Sequence, residues 1–182
     1  MPSDDCRTTS QRRAMTSKAK LLFLCGKMAA GKSTLASALA LQENAILLVQ
    51  DDLLDSLYPG EIRDIPDFVK YSARLRTALT PLIDSLLLAG VSVVLDFPGN
   101  TQTQRGWFRE LFERAKVGHE LHFVDVPDDL CKAQLQERSK GLPAGSAWTT
   151  GAEFDAITAY FQPPTAEEDF NIVHHRRGEA SA

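Results

Sequence analysis

Gly26-Lys27-Met28-Ala29-Ala30-Gly31-Lys32-Ser33 satisfies the pattern G-x-x-x-x-G-K-[ST] at every required position, and Thr34 follows it. The run before it, Leu21-Leu22-Phe23-Leu24-Cys25, is continuously apolar, which predicts a strand buried on both faces. The residues after it, 32–41, are rich in Ala and Leu and predict a helix. Strand, glycine-bounded turn and helix together make an anion cradle. The glycines let the chain curl so that successive N–H groups converge, and the helix start adds its positive dipole end. Gly26, Lys27, Met28, Ala29, Ala30, Gly31, Lys32, Ser33 and Thr34 are therefore the expected phosphate-binding residues. Lys32 is placed to reach the β- and γ-phosphates of a nucleotide, and the Ser33 hydroxyl suits Mg²⁺, a hard cation that prefers oxygen.

Outward from this stretch the apolar runs repeat. Ala45-Ile46-Leu47-Leu48-Val49, Val91-Ser92-Val93-Val94-Leu95 and Leu121-His122-Phe123-Val124-Asp125-Val126 read as strands, with Phe170-Asn171-Ile172-Val173 a weaker fifth. Helical spacing covers 67–89, 101–116, 128–140 and 151–161, with Pro81 expected to kink or divide the first of these. Strands alternating with helices imply an α/β fold, a five-stranded parallel sheet with helices on both faces. Residues 18–177 form a single domain in this reading. Residues 1–17 are an expected disordered tail, 178–182 a short C-terminal tail, and 141–150 a small lid loop carrying Trp148.

Composition narrows the function. Lys and Arg total 20 against 24 Asp and Glu, a net charge of −4. Five basic residues (Arg7, Arg12, Arg13, Lys18, Lys20) and two acidic ones (Asp4, Asp5) fall in the first twenty, so the rest of the chain holds 15 basic and 22 acidic residues. A body that acidic disfavours long nucleic acid as a partner, because its non-specific binding neutralises phosphates. Three cysteines, far apart and without a C-x-x-C pair, indicate neither a zinc ribbon nor a disulfide framework. No apolar run approaches the roughly 18–20 residues of a membrane span. The expected setting is cytoplasmic.

In an open parallel sheet the ligand crevice lies at the carboxyl ends of the strands. The second strand ends in Gln50-Asp51-Asp52, and a carboxylate there can take the proton of a hydroxyl attacking a γ-phosphoryl group. One of the two points inward and the other caps the next helix. Asp51 is the favoured base, with Asp52 the capping residue on the acceptor side. Asp96 closes the third strand, where an acid binds Mg²⁺ directly or through water. Arg105, soon after, is a candidate for holding acceptor or phosphate oxygens. Arg138 is placed like a lid arginine that stabilises the transferring group, and Lys140 is a weaker candidate. His174-His175-Arg176-Arg177 suggests a metal or phosphate cluster, but adjacent strand residues point to opposite faces, which argues against a shared metal.

These anchors, over 20–177, resemble the small P-loop kinases grouped as zeta-toxin-like or polynucleotide-kinase-like ATP-binding proteins, a superfamily that includes chloramphenicol phosphotransferase and gluconate kinases. Leu57-Tyr58-Pro59-Gly60-Glu61-Ile62 and Leu95-Asp96-Phe97-Pro98-Gly99-Asn100-Thr101 are similar to a bacterial subgroup described only as ATP-binding proteins. The resemblance implies ATP and Mg²⁺ as cofactors, a small hydroxyl-bearing substrate, and Asp51 as general base. Polynucleotide kinases place an arginine shortly after the Asp-Asp pair, whereas Leu53-Leu54-Asp55 follow here. Zeta toxins have an antitoxin partner. The expected activity is an ATP-dependent kinase acting on a small-molecule alcohol. Its alternatives are a polynucleotide 5′-hydroxyl kinase and a nucleotide-binding ATPase switch acting through a partner protein.

Overall fold

The computed structural model describes residues 19–141 and 149–177. The expected tails and the lid segment 142–148, with Trp148, lie outside the described residues. Five parallel strands, β1 (Lys20–Cys25), β2 (Ile46–Val49), β3 (Val93–Pro98), β4 (Gly118–Asp125) and β5 (Ile172–Arg176), lie in the order β2-β3-β1-β4-β5. Helices α1 (Lys32–Gln42), α2 (Gln50–Leu57), α3 (Ile65–Leu88), α4 (Gln102–Ala115), α5 (Asp128–Arg138) and α6 (Gly151–Thr158) cover both faces.

The central position of β1 follows from its composition. Leu21, Leu22, Phe23, Leu24 and Cys25 are each 0% exposed, and only a strand with helices on both sides can bury such a run. Leu21, Phe23 and Cys25 pack into the core under α3 and α4, with Phe23 stacked on Phe108 at 4.5 Å between ring centroids. Leu22 and Leu24 face the other way, against Ala36 and Leu39 of α1. A third cluster joins Val124 and Val126 to Cys131, Leu135 and Phe154 of α5 and α6. Each fully buried Leu or Phe contributes about 1.5–3 kcal/mol, so β1 is the strongest single source of apolar stabilisation in the sheet.

Local chemistry sets the helix starts. Asp64 caps α3 by accepting from the Asp67 N–H at 2.8 Å, and Thr101 with Gln104, like Thr150 with Glu153, closes a reciprocal capping box. Of the kink or division expected at Pro81, division is ruled out: α3 runs unbroken for 24 residues. Proline lacks the N–H that would bond one turn back, but burial of Leu75, Ile83 and Leu87 on either side holds the helix to the core. Trp107 of α4 also ties it by donating to the Thr80 hydroxyl at 3.0 Å.

The turn after β3 is pressed against β1. A Cβ on Gly99 would stand 2.5 Å from the Leu24 carbonyl oxygen and 3.3 Å from the Phe108 ring. Gly99→Ala must therefore push two backbone segments apart, and we expect a loss of about 1–3 kcal/mol in urea denaturation. A variant as stable as the wild type would show that this close approach is not real.

Candidate active site

The glycine-bounded stretch forms the loop between β1 and α1. Gly26 sits at φ 155° with no room for a side chain, since a Cβ would meet the Val124 carbonyl oxygen at 2.6 Å. Ala29 and Gly31 take left-handed conformations at φ 58° and 95°, which turn the chain back into α1. Gly31 is the N-cap of α1, with no side-chain hydrogen bond to the first turn and no acidic residue in it. The N–H groups at this end thus have no side-chain cap, the condition an anion site at a helix start needs. Ser33 and Thr34 are exposed on the first turn.

The Lys32 ammonium group donates to the carbonyl oxygens of Gly26 and Lys27, both at 2.8 Å, bracing the loop from within. Burial pushes its pKa down, while Asp96, Cys25 and Asp51 pull the other way. Asp96 lies near the end of β3, in register with Val49, the last residue of β2. Asp51, two residues beyond Val49, is in the first turn of α2. It keeps an exposed surface, yet the crevice walls crowd its carboxyl group. Desolvation raises its pKa, and the negative charges of Asp96 and Asp55 raise it further. Lys32 and Arg138 act in the opposite sense. Lys32, Asp51, Asp96 and Arg138 thus share one electrostatic field although they come from four separate elements. Arg138 is the exposed last residue of α5, and Lys140 pairs with Glu137 instead.

Two expectations need correction. Asp52 does not cap the next helix, because α2 begins at Gln50, immediately after the strand. Its N-cap is Val49, with no side-chain hydrogen bond. Asp52 is an exposed first-turn residue beside Asp51. Arg105 does not face an acceptor. It is 0% exposed, and Nε and Nη2 form a fork on both oxygens of Glu168 at 2.7 Å. Nη1 donates to the carbonyl oxygens of Gly99 and Gln162 at 2.9 and 2.8 Å. Each of its three nitrogens donates within the fold, so this arginine holds structure together.

The structure also brings in residues that pattern reading passed over. Asn100 Oδ1 accepts from the Gly26 N–H at 3.0 Å, clamping the loop entrance to the β3 turn. Asn100 is held in turn by Gln104 Oε1, which accepts from its N–H at 2.9 Å. The capping box Thr101-x-x-Gln104 was the visible signal for this turn. Lys27 pairs with Asp128 at the start of α5, joining the loop to the helix that ends in Arg138. Gln50, next to Asp51, is 1% exposed, and neither of its amide atoms has a partner among the described residues. The two adjacent histidines do face apart. His174 packs edge-on to Phe123, while His175 Nε2 meets His122 Nδ1 at 2.9 Å. Among the described residues, no group of three or more His, Cys, Asp or Glu gathers as a metal site.

A family model described as an AAA domain matches residues 21–164. No curated protein matches the sequence. Among solved structures, a candidate kinase from Chloroflexus aurantiacus superposes with a TM-score of 0.69 at 18% identity, over 87% of this chain and 88% of that one. A sugar kinase from Janibacter sp. HTCC2649 gives 0.59 at 17% identity, over 87% and 85%. The Mycobacterium tuberculosis APS kinase CysC, solved with AMPPNP and APS, gives 0.57 at 17% identity, over 90% and 91%. At these identities the likeness establishes a shared fold.

Two stability measurements test the geometry. Removing one partner of a buried ion pair leaves the other charge uncompensated, so Arg105→Ala should cost about 3–5 kcal/mol. Arg105→Met combined with Glu168→Gln should cost clearly less; equal losses would mean that the pair is not coupled. Asp51 works in the opposite direction. Its folded pKa is raised, so its ionised form opposes folding. That penalty is absent below the ordinary value of 3.8, grows as pH rises through the folded value, and is complete above it. Asp51→Asn should therefore raise the melting temperature at neutral pH, with the gain vanishing in acid. A destabilised Asp51→Asn at neutral pH would contradict the desolvated crevice.

Proposed function

The chain belongs to the AAA domain family matched above, and on that premise we propose that it is an ATP-dependent kinase transferring the γ-phosphoryl group to a hydroxyl of a small molecule. Within that family we place it with the zeta-toxin-like and polynucleotide-kinase-like group, on the anchors Gly26–Thr34, Gln50-Asp51-Asp52, Asp96 and Arg138. One observation carries the reading. Asp51 stands just past β2, in the first turn of α2, in the same field as the loop lysine Lys32 and the β3 acid Asp96. A binding module that only held nucleotide would have no need of a destabilised carboxylate there. The kinase neighbours support the same reaction class by fold alone.

Each residue has a role in this reading. The free N–H groups at the start of α1 take the phosphates, and Lys32 adds its charge to the β- and γ-phosphates. Ser33 and Asp96 are the oxygen donors that would hold Mg²⁺. An ion that ordinarily takes one or two protein oxygens together with substrate phosphates and water fits a site without a closed protein cage. When bound, the ion neutralises charge on the phosphates. Asp51 orients the acceptor hydroxyl and accepts its proton as the oxygen bonds to phosphorus. Its raised pKa makes it a stronger base than an ordinary aspartate. Arg138, the exposed last residue of α5, would stabilise charge on the transferring group. Asp52 lies on the acceptor side, next to the base.

A small alcohol is favoured over a polynucleotide because Leu53, Leu54 and Asp55 stand where a phosphate-holding arginine would be needed. No helix among the described residues is long and apolar enough to cross a membrane, and we place the reaction in the cytoplasm. Label transfer from [γ-³²P]ATP to pools of small hydroxyl compounds, and separately to oligonucleotides, tests the reading directly. Asp51→Asn should keep ATP binding while transfer falls by about 10²–10⁴-fold, the usual range for a general base. Asp52→Asn should remain active. ATP hydrolysis that no acceptor stimulates, unchanged in Asp51→Asn, would point to the ATPase switch instead.

A further inference from the structure

The basic end of β5 is a sequence motif that the proposed reaction leaves unused, and its side chains have separate destinations. Side chains alternate along the strand. His175 lies on the α1 side of the sheet, where it meets His122, a residue in register with Leu24, which packs against α1. Two residues on, Arg177 returns to the same side. Its N–H continues the β4–β5 ladder by donating to the Asp125 carbonyl oxygen at 3.2 Å. Its guanidinium group lies across Gly31, with Nη1 3.0 Å and Cζ 3.6 Å from the place a Gly31 Cβ would take. Gly31 is the residue from which α1 springs, so Arg177 is parked at the rim of the phosphate cradle.

The other cations there are already engaged. Lys32 is turned onto the loop carbonyls and Lys27 onto Asp128. Arg177 is exposed and has no carboxylate within ion-pair distance among the described residues. A free planar fork beside uncapped helix N–H groups matches the charge and geometry of phosphate oxygens. We propose that Arg177 is a second phosphate-binding cation of the nucleotide site, reaching over Gly31 to the phosphate chain held at the start of α1. This rests on the reading of that loop as an ATP site.

The test is calorimetric binding of ATP and of inorganic triphosphate to the full chain and to Arg177→Gln and Arg177→Lys. It is run at physiological ionic strength, where charges more than about 8 Å apart are largely screened. A charge-assisted contact predicts that Arg177→Gln weakens both ligands by about tenfold or more. Arg177→Lys should retain part of the affinity, and the melting temperature without ligand should not change. Loss of affinity matched by a comparable fall in that melting temperature would mark a merely structural role and overturn the proposal. So would ATP affinity within twofold of wild type, or a loss for ATP with none for triphosphate, which would assign the side chain to the nucleoside half. If the wild-type chain binds neither ligand, the ATP-site reading fails first and takes this proposal with it.

Discussion

The carboxyl end of β1 has no space to spare, and the site is built on that constraint. Gly26 would strike Val124 if it carried a Cβ, and Gly99 would strike Leu24. The chain leaving β1 is thus gripped on one side by β4 and on the other by the turn after β3. The Asn100 side chain then bonds the Gly26 N–H. A loop held this way has a fixed backbone, which is what a preorganised site would require. The grip depends on the full burial of β1, because a strand free to shift by a fraction of an ångström would relax both contacts.

Charge inside the crevice is arranged against stability. Lys32 is desolvated and its pKa lowered, while Asp51 is desolvated with its pKa raised. Burial thus opposes the charged form of each, and their mutual attraction offsets only part of that. Asp96 makes the balance uneven, since it supports the lysine while repelling the aspartate. Paired acids and bases pushed in opposite directions are common at catalytic centres, and less so where a fold serves stability alone. Cys25, directly beneath, belongs to the opposite category. Burial pushes its thiol up to about 12, so it is an inert part of the core.

Arg105 and Glu168 show how far a plausible local reading can go astray. An arginine five residues past the turn after β3 has the right chemistry for a ligand contact, and its place in the sequence makes it a candidate for one. In the fold, the segment carrying Glu168 crosses above α4, and Glu168 meets the guanidinium fork before any ligand could. The same side chain carries Gly99 and Gln162, so its effect on the loop passes through the β3 turn. Pro81 is the reverse case: a residue that breaks helices in isolation is retained because the packing around it outweighs one missing hydrogen bond.

The residues themselves determined the strand–loop–helix at 20–42, the parallel sheet and the acids at the ends of β2 and β3. Each of these is written in local periodicity and in a loop whose glycine spacing has one physical purpose. The helix starts near 101 and 151 were legible from apolar spacing, and the caps the structure shows at Thr101 and Thr150 lie beside them. Only the tertiary structure decided that Arg105 is enclosed and that Arg177 lies across Gly31 at the start of α1. It also decided that Asp52 caps nothing and that Asp51 is crowded into a raised pKa. Those outcomes depend on which distant segments approach one another, and on how much water they leave behind. A one-dimensional pattern encodes neither, because burial and electrostatic coupling are set by distances in space.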